Sequence, residues 1–244
     1  MLKDKKVIIF DMDGTLIDSV GIWNTVDKEL IAQLGGHESD EMMLQTRRDE
    51  LIRSYSQMDD AYLEYCHFLA HTYNPTLSKE DVRSMRYAIA THYLTHVIDF
   101  KPDAPALLQY LKEQGYQLAI ASTTSQKILQ TYMDNNERMK QKVDFASIFS
   151  LVLGREMIRN IKPHPEVHHF IMDKLRVKAH ECLIIEDSVV GVEAANRAGI
   201  DVVVMADAYS KGDERILRES SIGYFETFND LLNTIKNVHD KHTL

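Results

Sequence analysis

A chain of 244 residues with 44% hydrophobic and 27% charged side chains has the composition of a globular protein with a sizeable core, not of a disordered tract. Its 28 Lys and Arg against 37 Asp and Glu give a formal net charge of −9, which argues against nucleic acid or an anionic membrane as partner, since both reward a basic face. Only two cysteines occur, Cys66 and Cys182, and neither a signal peptide nor an apolar run of membrane-spanning length is evident, so a soluble cytoplasmic chain is expected. An anionic ligand would then need a local positive site, such as a metal.

The first apolar run, at 7–10, does not alternate with polar residues, and neither do those at 118–121, 183–185 and 202–205. Such runs read as strands buried on both faces, as in a parallel sheet, with 150–153 a weaker fifth. Residues 17–98 contain no strand run. Instead Trp23, Val26, Leu30 and Leu34 share one helical face, as do Tyr62, Tyr65, Leu69 and Tyr73, and then Val82, Met85, Ile89 and Tyr93. Between the first two faces, residues 38–54 read as a charged helix carrying Arg47, Arg48 and Arg53. Ser78-Lys79-Glu80-Asp81 has the form of a capping box. Helices are predicted again over 105–113, closing at Gly115, over 165–175, and over 189–198, closing at Gly199. The polar residues 237–244 are expected to fray. The class is therefore α/β: a doubly wound parallel sheet built from 1–16 and 99–244, with an all-helical domain inserted over 17–98.

Ligands of such sheets bind beyond the carboxyl ends of the strands, and those ends carry the chain's chemistry. Asp11-Met12-Asp13-Gly14-Thr15 follows the first strand. Two carboxylates one residue apart can hold a hard cation, although Asp and Gly also make ordinary turns. The strand at 118–121 runs into Ser122-Thr123-Thr124-Ser125, whose hydroxyls and amides suit a phosphate. Lys162 stands before Pro163 at a predicted helix start, where an ammonium can neutralise a phosphoryl group. The strand at 183–185 runs into Glu186-Asp187-Ser188, further carboxylate for a metal. Singly, Ser122 reads as a turn, Lys162 as a solvated lysine and Asp187 or Ser188 as a helix cap. Turns and caps do not explain their coincidence at successive strand ends.

Together these residues resemble the haloacid dehalogenase-like hydrolase superfamily, with Asp11 to Thr15, Ser122, Lys162 and Glu186-Asp187 in its four motifs. Lys162-Pro163-His164-Pro165 and Glu186-Asp187-Ser188-Val189-Val190-Gly191 are similar to the helical-cap branch of phosphatases and phosphoglucomutases. The resemblance implies a Rossmann-like core with a helical cap over 17–98, and catalysis with Mg²⁺. It implies Asp11 as nucleophile and Asp13 as acid and base. Ser122, the Thr123 backbone and Lys162 would bind the phosphoryl group. Asp11, the Asp13 carbonyl and Asp187 would hold the metal, with Glu186 assisting through water or from behind. Dehalogenase members carry Tyr at the position of Asp13 and phosphonatases a small residue, so phosphoryl transfer is implied. Mutases of the branch carry His where Trp23 stands, and a Gly-containing Ser-Arg loop early in the cap; both are missing here.

The expected function is thus a Mg²⁺-dependent phosphatase for a small phosphorylated metabolite, such as a sugar phosphate, acting as a monomer or weak dimer. A phosphomutase of the beta-phosphoglucomutase type is the alternative. A signalling receiver shares the acidic pair, hydroxyl and lysine but is about half this length and has no cap. A non-catalytic binding protein would not need the intact Asp11, Asp13, Ser122, Lys162 and Asp187. The histidine pairs His67/His71, His92/His96 and His164/His168 have helical i, i+4 spacing but no evident third ligand, so surface or packing roles are expected rather than zinc. Arg47 and Arg48 are expected on a solvated helix face. The polar segment 134–142 departs from the family pattern without a role the sequence reveals.

Overall fold

The computed structural model describes residues 1–55 and 58–240. In chain order the elements are β1 (Val7–Phe10), α1 (Val20–Gln33), α2 (Glu41–Ser54), α3 (Ala61–Tyr73), α4 (Lys79–His96), α5 (Ala104–Glu113), β2 (Gln117–Ala121), α6 (Gln126–Asn135), α7 (Glu137–Lys140) and α8 (Phe145–Ile148). They continue with β3 (Phe149–Leu153), α9 (Glu166–Leu175), β4 (Cys182–Glu186), α10 (Val189–Arg197), β5 (Asp201–Met205), α11 (Glu214–Glu219), β6 (Gly223–Phe225) and α12 (Phe228–Asp240). The chain divides into two compact units, Met1–Asp18 with Ile98–Leu244, and Ser19–Val97. Sequence patterning put the divisions at 16/17 and 98/99.

The larger unit is a six-stranded sheet in the order β3-β2-β1-β4-β5-β6, parallel throughout and flanked by helices. Every residue of β1 and β4 is buried, which is why their sequences run apolar without alternation. Ile9, Ala119, Ile184 and Val204 form one core with Val167 and Ile171 of α9 and Val192 and Ala195 of α10. The sheet order reverses at β1, whose Phe10 is level with Ile120 of β2 and Ile185 of β4. The chain leaves these three strands at one edge, so Asp11, Ser122 and Asp187 emerge side by side at the switch point. One strand escapes the sequence: β6 is a half-buried edge strand of three residues opening with Gly223, too short to make an apolar run. At the other end, α12 continues through Asp240 where fraying was expected from 237, and residues 241–244 lie outside those described.

The smaller unit packs α1 to α4 around Leu30, Ile31, Leu34, Leu44, Tyr65, Leu69 and Val82. Ser78 caps α4 in a reciprocal box with Asp81. The buried face of α4 differs from the predicted one. It runs Val82, Arg86, Ala90, Leu94, while Met85, Ile89 and Tyr93 lie half-buried beside it. Arg86 is admitted because Asp27, fully buried on α1, accepts its Nε at 2.6 Å and its Nη2 at 3.3 Å. Asp27 also accepts Arg48 Nη1 at 2.9 Å and the Tyr65 hydroxyl at 3.2 Å. Arg48 is therefore buried rather than solvated, and Arg47 is tied to Glu38 and Tyr73. Arg86 also lies over the Trp23 ring, 4.6 Å from its centroid. Among the described residues, no helix is long and apolar enough to cross a membrane.

Candidate active site

Asp11 is the first residue past β1, and its amide still pairs with Ile185 O of β4 at 2.9 Å. The chain then turns at Gly14, whose φ of +85° suits a residue without Cβ, and Gly14 N closes the turn on Ile17 O at 3.0 Å. Met12 is buried, and Asp13 is half-buried two residues from the also buried Asp11. Asp13 Oδ1 accepts the Tyr132 hydroxyl at 2.9 Å and Oδ2 accepts Thr124 Oγ1 at 2.7 Å. Beyond β2, the Ser122 amide holds Leu153 O at 3.0 Å, while its Oγ accepts the Thr124 amide at 3.0 Å. Thr123 follows, exposed. Ser125 then caps α6 by accepting from the Ile128 amide.

Lys162, buried before α9, reaches both Asp11 Oδ1 and Glu186 Oε1 at 2.7 Å. The other oxygen of Glu186 accepts the Asp187 amide at 2.8 Å, the Ser188 amide at 2.9 Å and Ser188 Oγ at 3.0 Å. The Glu186 carboxylate lies so close over α10 that a Cβ on Gly191 would stand 1.6 Å from its Oε1; only glycine fits there. Asp187, also buried, accepts Thr15 Oγ1 at 2.6 Å. Past β5, Asp207 pairs with Lys101 at 2.7 Å.

The charges are unbalanced. Of three buried carboxylates, Asp11 and Glu186 share the buried Lys162 ammonium, while Asp187 accepts from the neutral Thr15 hydroxyl. Burial pushes the Asp11 carboxyl up to about 7, with Glu186 adding to the rise and Lys162 opposing it. Burial also pushes Asp187 well above the carboxylate range, helped by Glu186 and Asp11. Lys162 moves the other way from most buried lysines: burial works against its charge, but Asp11 and Glu186 outweigh that and hold it above its ordinary value. A divalent cation near Asp11 and Asp187 would supply the missing positive charge, so the donor set fits one.

Asp11, Lys162 and Glu186 are in direct contact, while Asp13 joins the Ser122 loop through Thr124. The four carboxylates do not converge as a metal cage: the Asp13 side chain turns to two hydroxyls, and Glu186 is fastened to Lys162 and two amides. Among the described residues, no group of three His, Cys, Asp or Glu is arranged to hold an ion. Side-chain ligation would fall to Asp11 and Asp187, with backbone or water oxygens completing the shell. Thr15, Tyr132 and the Lys101–Asp207 pair also belong to the site's surroundings; Thr15, inside the first motif, had a sequence signal, whereas the others carry none. Of the two roles expected for it, His168 takes the packing one and not the surface one. It is fully buried, neither ring nitrogen has a hydrogen-bond partner, and burial, with Lys162 nearby, holds it well below the usual histidine range.

A protein-family model described as haloacid dehalogenase-like hydrolase matches residues 8–205. A phosphoglycolate phosphatase of Colwellia psychrerythraea is 26% identical over 235 residues, covering 96% of this chain and 99% of that protein. Hexitol phosphatase B of Escherichia coli is 27% identical over 209 residues, covering 86% and 87%. CbbY from Rhodobacter sphaeroides, solved in complex with phosphate, superposes with a TM-score of 0.70 at 20% identity, covering 93% and 96%, a likeness of fold.

Proposed function

The chain belongs to the haloacid dehalogenase-like hydrolase family and is an enzyme of the phosphatase kind; on that premise we propose that it is a Mg²⁺-dependent phosphatase acting on a small phosphorylated metabolite of the sugar-phosphate class. The observation that carries the reading is Lys162, bridging Asp11 and Glu186 at 2.7 Å each at the carboxyl edge of the sheet, beside the Ser122 loop. That arrangement offers a buried carboxylate to a phosphorus atom and an ammonium to its oxygens. The same proposal takes 1–18 and 98–244 as the catalytic core and 19–97 as the family's inserted helical cap.

Asp11 attacks phosphorus in line, and the bond from phosphorus to the ester oxygen breaks as the aspartyl-phosphate forms. The leaving oxygen takes a proton from Asp13. Asp13 then takes a proton from water as that water attacks the aspartyl-phosphate, returning the Asp11 carboxylate and inorganic phosphate. Ser122, the Thr123 amide and Lys162 hold the phosphoryl oxygens and stabilise the charge of the transition state. Asp11, Asp187 and the Asp13 carbonyl would hold Mg²⁺, which would supply charge to offset the repulsion between the nucleophile and the phosphate. Glu186 keeps Lys162 in place from behind.

The test is a panel of phosphorylated metabolites incubated with enzyme and Mg²⁺, followed by phosphorus NMR. Growth of inorganic phosphate alone supports the reading. Conversion of a glucose 1-phosphate to glucose 6-phosphate faster than phosphate release would make the enzyme a mutase. Trp23 in place of the mutase-type histidine favours the first outcome.

A further inference from the structure

We propose that Tyr132 is a positioning residue that holds the Asp13 carboxyl group in register with the phosphate-binding loop. The inference rests on Asp13 being the acid and base of the proposed reaction. Tyr132 is one of the largest fully buried side chains of the protein, and its ring is locked in the core on α6. Its hydroxyl donates to Asp13 Oδ1 at 2.9 Å, while the Thr124 hydroxyl donates to Oδ2 at 2.7 Å. Both donors belong to the continuous stretch that leaves β2, with Thr124 bound to Ser122 Oγ at one end and α6 capped by Ser125 directly after it. The Asp13 carboxylate is thereby registered against the phosphate-binding loop by that loop's own continuation.

Both oxygens of the carboxyl group meet donors from one segment, so its plane is fixed relative to Ser122. Tyr132 holds Oδ1 from a ring that packing keeps still, whereas the Thr124 hydroxyl turns freely about its C–O bond. The geometry also restricts rotation of the carboxyl group, which would otherwise exchange the two oxygens between catalytic steps.

The test uses Tyr132→Phe with two aryl phosphates, p-nitrophenyl phosphate and phenyl phosphate, in Mg²⁺. Nitrophenolate leaves without a proton and phenolate needs one, so kcat/KM on the pair isolates the acid step. Tyr132→Phe is expected to lower kcat/KM for phenyl phosphate about tenfold more than for p-nitrophenyl phosphate, the worth of one hydrogen bond to a charged group. Asp13→Asn is the reference: it must show the same discrimination, and more of it. An Asp13→Asn enzyme indifferent to the leaving group would overturn the acid–base reading itself. A discriminating Asp13→Asn beside an indifferent, folded Tyr132→Phe would overturn this inference alone. If Tyr132→Phe melts too low to assay, Thr124→Val and Thr124→Ser take its place. Discrimination in the valine variant, relieved in the serine variant, supports the two-hydroxyl frame, and its absence in both refutes it.

Discussion

Replacing Lys162 by Met removes a buried ammonium that holds Asp11 and Glu186 at 2.7 Å each, while filling its space with an unbranched side chain. Stripping one partner from a buried ion pair costs about 3–5 kcal/mol. The Asp11 part of that cost depends on pH, because its carboxyl is already raised to about 7 with Lys162 opposing the rise, and rises further without it. An Asp raised on folding binds a proton that the unfolded chain, titrating near about 3.9, has lost, so its stability contribution falls as pH climbs between the two values. The variant's additional loss therefore opens above pH 7, at about 1.4 kcal/mol for each further unit of rise. Urea unfolding in EDTA, at roughly pH 5.5 and 8.5, measures it as a stability difference from wild type that is larger at the higher pH. Adding Glu186→Gln removes the second unpaired charge and restores part of the loss. A variant within about 1 kcal/mol of wild type at the higher pH, or one worse at the lower, would refute the counter-ion argument.

Asp11→Asn should release phosphate at less than about a hundredth of the wild-type kcat while melting no lower, because an amide is a poor nucleophile and the acidic cluster loses a charge; a phosphate-release assay and a thermal melt check both halves. Mg²⁺ at about a hundred times its Kd should stabilise the fold by about 2.7 kcal/mol, an effect that Asp187→Asn weakens, read by thermal unfolding without substrate. Gly191→Ala should lower both stability and kcat, since a Cβ there stands 1.6 Å from Glu186 Oε1 and must displace the carboxylate that holds Lys162. Asp27→Asn should cost the helical unit about 3–5 kcal/mol by taking the buried counter-charge from Arg86 and leaving Arg48 with the half-exposed Asp49 at 3.6 Å, measurable by urea unfolding.

The strands at 7–10, 118–121, 183–185 and 202–205 were legible because a strand buried on both faces must be apolar throughout, and the chemistry was legible because it stands where those runs stop. What stayed hidden depends on pairs distant in the chain. Arg86 and Asp27, 59 residues apart, look like solvated charges until both are buried together, and their pairing shifts the inward face of α4 away from Met85 and Ile89. Tyr132 follows Asp13 by 119 positions and carries no local signal of its hydroxyl's destination. The segment 134–142 gains a structural role the same way: Asn136, buried, donates to Ile98 O and Lys142 pairs with Asp99, pinning the chain as it re-enters the larger unit.

The covalent step at Asp11 is the centre of the account, and trapping it is the direct test. Wild-type enzyme is mixed with a turned-over sugar phosphate and Mg²⁺, quenched in acid within the first turnover and digested with a protease active at low pH. The peptide containing Asp11 should then gain the mass of one phosphoryl group, and the Asp11→Asn peptide should not. Unmodified Asp11 during rapid phosphate release, or the same added mass on a peptide lacking Asp11, would contradict it.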